Sequence, residues 1–193
     1  MILPLCLLNV AAEAALPAVT GLTWTEVEIV STLDGATQPI IIGVPDSYEA
    51  GSETPLLVAL HTWSSGYQQQ AKEYGPLAVE RDWLLVLPHF RGPNLVSNEN
   101  ATQAGGSILA QHDVIDAVEH VKREYSVDES RVYLSGASGG GHMALLMAGK
   151  HPDVWAAVVS WCPVTDFAAW HGVGNNYAKH IEAVCGGAPG ASP

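Results

Sequence analysis

The stretch Arg131-Val132-Tyr133-Leu134-Ser135-Gly136-Ala137-Ser138-Gly139-Gly140-Gly141-His142 decides how this chain folds. Its first part is a short apolar run of the kind found in strands buried on both faces. Its second part is rich in glycine and opens onto Met143-Ala144-Leu145-Leu146-Met147, which predicts a helix from about Ser138 to Lys150. Inside it, Gly136-Ala137-Ser138-Gly139-Gly140 reads G-x-S-x-G, and a strand, a sharp turn and a helix are the context that a nucleophile elbow needs. The reason is steric. A turn that holds the serine in a strained backbone conformation leaves no room for side chains two residues before or after it. Ser138 is therefore the candidate nucleophile, and the Gly139 N–H, at the helix N-terminus, is a candidate donor to an oxyanion.

Outward from the elbow, the same kind of apolar run recurs at Leu56 to Leu60, Leu84 to Leu87 and Ala156 to Val159. Between such runs lie helical stretches, clearest from Ser107 to Tyr125. There Val114, Val118, Val121 and Tyr125 share one face, while Asp116, Glu119, Lys122 and Arg123 are expected on the opposite, solvent face. Alternating strands and helices predict an α/β fold with a mainly parallel sheet and helices on both faces. Near the start, Val27 to Ser31 and Ile40 to Val44 flank the turn dipeptide Asp34-Gly35, which predicts an N-terminal antiparallel hairpin. Ligands of such sheets bind at the carboxyl ends of the strands. The loop after Leu56 to Leu60 reads His61-Thr62-Trp63, and an elbow needs a second backbone N–H from this loop; Trp63 is the first candidate by position and Thr62 the next.

Composition narrows the function. The chain has 193 residues, enough for one domain, with 48% hydrophobic and 15% charged residues. Its formal net charge of −12 argues against nucleic acid as a partner. The apolar opening from Met1 to Val10 is about half the roughly 20 residues of a membrane span. Followed by Ala11-Ala12-Glu13-Ala14-Ala15, it reads as a signal peptide over 1–15, so the protein is expected to be secreted or periplasmic, with a hydrolase domain over 22–193. Cys162 and Cys185 would then be either a disulfide or two free thiols. No metal motif and no phosphate-loop motif can be read from the sequence, so no cofactor is implied.

The elbow, the preceding segment Val127 to Leu134, Pro88-His89-Phe90-Arg91-Gly92 and Gln111-His112-Asp113-Val114 together resemble the catalytic domain of the prolyl oligopeptidase family and related α/β-hydrolase esterases. The resemblance runs from about Glu26 to the end of the chain. It implies an α/β-hydrolase fold and a serine hydrolase acting on a small-molecule ester or peptide substrate, with Ser138 as nucleophile. It also implies a buried pair between Arg91 and Asp113 that braces the loops of the site. The family usually carries His-Gly after the first parallel strand; this chain has His61-Thr62.

Acyl transfer at Ser138 needs a histidine base and a carboxylate to orient it, which in this fold follow the nucleophile on later strands. Only the strand near Trp155 to Ser160 and a helical stretch from Tyr177 to Val184 follow. The acid and base are thus expected beyond Pro193, with the last strands of the sheet missing. Two alternatives stand beside this. One is a compact triad of Ser138, Asp166 and either His171 or His180, although Asp166 also fits a helix cap. The other is a non-catalytic module or inactive fragment that binds without turnover. His142, one helical turn after Ser138, is expected either to pack or to face solvent, while His61 and His89, at strand ends, are candidates to line the cleft.

Overall fold

The computed structural model describes residues 15–190. Its strands are β1 (Leu22–Val30), β2 (Thr37–Pro45), β3 (Thr54–Leu60), β4 (Leu84–Pro88), β5 (Val127–Ala137) and β6 (Ala157–Trp161). The helices are α1 (Ala71–Arg81), α2 (Ile108–Glu124), α3 (Gly139–Lys150), α4 (Phe167–Gly172) and α5 (Ala178–Cys185). The leader expected over 1–15 lies, apart from Ala15, outside the described residues. No helix among the described residues is long and apolar enough to cross a membrane.

The strands form one sheet in the order β1-β2-β4-β3-β5-β6. β4, β3, β5 and β6 run parallel, and the β1–β2 hairpin joins them antiparallel through β2 on β4. The unbroken apolar runs of β3 and β4 follow from their central place. Leu56, Val58, Leu84 and Val86 point to one face, where they meet Val114, Val118 and Val121 of α2 and Met143 and Met147 of α3. Leu57, Ala59, Leu85 and Leu87 point to the other, against Ala71 and Ala78 of α1. With both faces covered, every side chain must be apolar, and the period-two signal disappears.

α2 starts where expected, because the Ser107 hydroxyl caps it by accepting the Ala110 N–H at 3.1 Å. One of its residues departs from expectation. Asp116 is buried and not on the solvent face: its carboxylate accepts the Thr32 N–H at 2.8 Å and the Thr32 hydroxyl at 2.9 Å. It ties the end of the hairpin to the helix, a long-range partnership that helical periodicity cannot register.

Arg91 and Asp113 form the buried pair that the family resemblance implied, with Nε to Oδ2 at 2.6 Å and Nη2 to Oδ1 at 3.0 Å. The structure adds a second carboxylate. Asp34, from the hairpin turn, accepts from Nη1 at 2.8 Å and from Nη2 at 3.0 Å, while Gln103 takes the remaining Nη1 hydrogen at 2.8 Å and the Ser31 hydroxyl shares Nη2 at 3.1 Å. The Arg91 guanidinium holds the Asp34 carboxyl down at about 2. One arginine thus fastens the hairpin turn, the β4 loop and α2 together.

β6 is the last strand of the sheet among the described residues. Val159 and Trp161 on it are exposed, unlike the residues of β3 and β4. Cys162 and Cys185 are both free and exposed.

Candidate active site

Ser138 sits between β5 and α3 with φ 55° and ψ −115°, a conformation that L residues adopt only when the surrounding structure imposes it. The imposition is visible at the flanking glycines. A Cβ on Gly136 would lie 2.2 Å from the Gly140 carbonyl oxygen, and one on Gly140 would lie 2.5 Å from the His61 carbonyl oxygen. The elbow is held from outside as well. The Ser138 N–H donates to the Trp161 carbonyl at 2.9 Å, and its own carbonyl accepts the His142 N–H at 2.9 Å. These bonds leave the side chain half-buried at the carboxyl end of β5, and among the described residues its Oγ has no hydrogen-bond partner.

The structure brings the two amides singled out in the sequence to this serine. A Cβ on Gly139 would stand 2.6 Å from the Trp63 Cα and 2.7 Å from its amide nitrogen, so the two backbones are in contact. Neither the Gly139 nor the Trp63 N–H has a hydrogen-bond partner among the described residues. Two free N–H groups beside a serine side chain, one of them at a helix N-terminus, form an arrangement that can receive negative charge. The Thr62 N–H, the other candidate, is already committed to the Gln69 Oε1 at 2.9 Å.

The loop that carries Trp63 is anchored by His61, which is 1% exposed and stacked on Phe90 at 4.1 Å. Its Nδ1 lies 2.9 Å from the Thr62 carbonyl oxygen and its Nε2 3.0 Å from that of His89. A neutral imidazole has one N–H, so it donates to one carbonyl at a time. Burial pushes the His61 pKa down, against the two carbonyls that favour the charged ring.

The Trp63 side chain packs as well. Its indole is buried edge-on to Phe167 at 5.2 Å and Trp170 at 4.9 Å, with Nε1 unpartnered among the described residues. His142 packs on Phe167 at 4.5 Å with Nδ1 2.8 Å from the Val164 carbonyl, and burial lowers its pKa. Beside this aromatic wall lies a cavity of about 330 Å³, lined by Pro163, Val164, Thr165, Asp166, Ala169 and Trp170.

The compact triad is not assembled. Asp166 caps α4 by accepting the Ala169 N–H at 2.8 Å. His171 Nε2 is 2.8 Å from Glu182 Oε1, and His180 Nδ1 accepts the Val96 N–H at 3.0 Å. The sequence reading missed Gln69 and Asn94, the latter donating its N–H to the Trp63 carbonyl at 2.7 Å. No motif marks them; the only signal was their presence in loops that follow central strands.

The model of the prolyl oligopeptidase family matches residues 72–186, more than half of the chain. Among curated proteins, the chain is 29% identical over 165 residues to feruloyl esterase B of Talaromyces stipitatus, covering 82% of this chain and 44% of that protein. It is 26% identical over 119 residues to the probable acetylxylan esterase A of Aspergillus flavus, covering 58% of this chain and 38% of the relative. The chain thus spans less than half the length of these curated relatives. Among solved structures, an acylaminoacyl peptidase superposes with a TM-score of 0.69 at 17% identity, over 86% of this chain and 27% of that one. A ferulic acid esterase of the anaerobic fungus Anaeromyces mucronatus gives 0.62 at 18% identity, over 77% and 62%. These likenesses identify the fold as that of the α/β-hydrolases.

Proposed function

The chain belongs to the prolyl oligopeptidase family, and from that premise we propose that it is a serine hydrolase cleaving carboxylic ester or peptide bonds through an acyl-enzyme on Ser138. The observation that carries this reading is the strained elbow with the unpartnered N–H groups of Gly139 and Trp63 beside it. In the reaction, Ser138 Oγ attacks the carbonyl carbon and loses its proton to a base, while the two amides receive the negative charge that develops on the carbonyl oxygen. The leaving group departs as alcohol or amine after protonation. Water then repeats the sequence on the acyl-enzyme and releases the acid.

An ester is the first substrate to test, because the curated relatives that the chain resembles carry esterase names. The base and its carboxylate are left to residues other than Asp166, His171 and His180, whose side chains are engaged elsewhere. The reading includes an export leader over 1–15 and a hydrolase domain over 22–193.

The test is labelling with a fluorophosphonate and hydrolysis of p-nitrophenyl acetate by the wild type and by Ser138→Ala. Labelling at Ser138, with both signals lost in the variant, is expected. A folded chain that neither labels nor hydrolyses supports a binding module instead, and activity surviving Ser138→Ala overturns the assignment of the nucleophile.

A further inference from the structure

Thr62 and Trp63 offer adjacent amides to one oxyanion site, and something must decide which of them faces Gly139. The bonds around the loop show how the decision is made. Peptide groups are planar and trans, so a carbonyl and the N–H that follows it point in opposite directions. Each peptide plane of the loop is held by one partner. The plane between His61 and Thr62 is held by Gln69 Oε1, which accepts the Thr62 N–H. The plane between Thr62 and Trp63 is held by His61 Nδ1 at the Thr62 carbonyl whenever that nitrogen carries the ring's one N–H. The plane after Trp63 is held by the Asn94 N–H at the Trp63 carbonyl. With the Thr62 carbonyl facing His61, the Trp63 N–H must point the opposite way.

We propose that Gln69 is a positioning residue for the oxyanion site: by accepting the Thr62 N–H it locks the loop with the Trp63 N–H alone free beside Gly139. This rests on the serine-hydrolase reading given above. Gln69 differs from the other two holders in a useful respect. His61 and Asn94 are buried and have other tasks, His61 stacking on Phe90 and the Asn94 side chain accepting the Gly105 N–H at 2.7 Å. Gln69 is exposed, within a short 3-10 turn spanning Tyr67–Gln70. That turn is itself anchored by Gln70, a buried side chain whose Nε2 donates to the Leu60 carbonyl at 3.0 Å. The turn after β3 therefore grips the strand end with one glutamine and aims the loop with the next. Without an acceptor at 69 the plane between His61 and Thr62 is released, and the single His61 N–H, which can serve the His89 carbonyl instead, does not by itself keep the next plane and its Trp63 N–H aimed at the site.

The test compares Gln69→Leu, which removes the acceptor, with Gln69→Glu, which keeps one, in the whole chain. Amide hydrogen exchange of Thr62, the melting midpoint, and kcat and KM for p-nitrophenyl acetate are measured on each. Gln69→Leu is expected to speed Thr62 exchange and to lower kcat about tenfold with KM nearly unchanged, because the hole acts on the transition state. Gln69→Glu is expected to restore both, and the melting midpoint should be the same in all three proteins. An undiminished kcat in Gln69→Leu, a loss that Gln69→Glu does not rescue, or a kcat loss matched by a fall in melting midpoint overturns the proposal. If the wild type neither hydrolyses the ester nor labels at Ser138, the hydrolase reading fails by itself. Thr62 exchange then decides the loop lock: faster exchange in Gln69→Leu that Gln69→Glu reverses upholds it, and unchanged exchange overturns it.

Discussion

The amide nitrogen of Trp63 lies so close to Gly139 that a single added carbon at that glycine would approach it to 2.7 Å. The contact is between two backbones, so no side-chain rotation can relieve it. It also joins the loop after β3 to the first turn of α3, the two segments whose amides flank Ser138. Gly139→Ala should therefore push the loop away. We expect a loss of about 1–3 kcal/mol in stability from overpacking and a fall of about a hundredfold in kcat from the displaced amide. Urea titration and ester hydrolysis check the two parts, and a variant with wild-type turnover would exclude this contact from the oxyanion site.

Ser138 is the reverse case, a residue whose own backbone is strained. At φ 55° and ψ −115° it occupies a conformation that glycine enters without a Cβ penalty. Ser138→Gly should abolish fluorophosphonate labelling and raise stability by about 1 kcal/mol, the relief of strain offset in part by the entropy of glycine. A lowered melting temperature would show that the elbow is not strained.

The Arg91 cluster predicts a large effect far from chemistry. Asp113 is 1% exposed, and its carboxylate takes two guanidinium bonds. Asp113→Asn leaves part of a buried cation uncompensated, with an expected loss of about 3–5 kcal/mol. Because Asp34 shares the same guanidinium, the hairpin turn should loosen with it. An unchanged denaturation midpoint would remove this brace from the account of the fold.

His61 gives the fold a dependence on pH. Burial holds its pKa below the ordinary 6.5, so at low pH the unfolded chain binds a proton that the folded chain resists. The stability that comes from a neutral His61 is complete above pH 6.5 and is lost as the pH falls through the depressed folded value. His61→Gln, which keeps a donor for one carbonyl, should flatten the stability profile between pH 6.5 and that depressed value. Thermal melts across the acid range decide it, and an identical acid slope in the variant would mean that His61 is not the responsible group.

These contacts separate local from long-range information. The elbow was legible because its requirements are local: a strand that must be buried, a serine at a sharp turn, and glycines that leave room for it. The same holds for the Ser107 cap and the apolar face of α2. α1 was harder to read, since Gly75 and Pro76 interrupt its pattern and a proline inside a helix removes a backbone donor.

The sequence by itself determined the α/β order and the strained serine elbow, and it singled out the two amides proposed to serve it, because steric and periodic constraints act over a few residues. Only the tertiary structure decided that Asp116 turns inward to Thr32, that Asp34 joins Asp113 on Arg91, and that Gln69 takes the Thr62 N–H and leaves that of Trp63 free. It also decided that Asp166, His171 and His180 each face another partner. Hydrogen-bonding groups choose among partners by proximity in space, and sheet pairing and helix packing bring together residues that the chain keeps tens of positions apart.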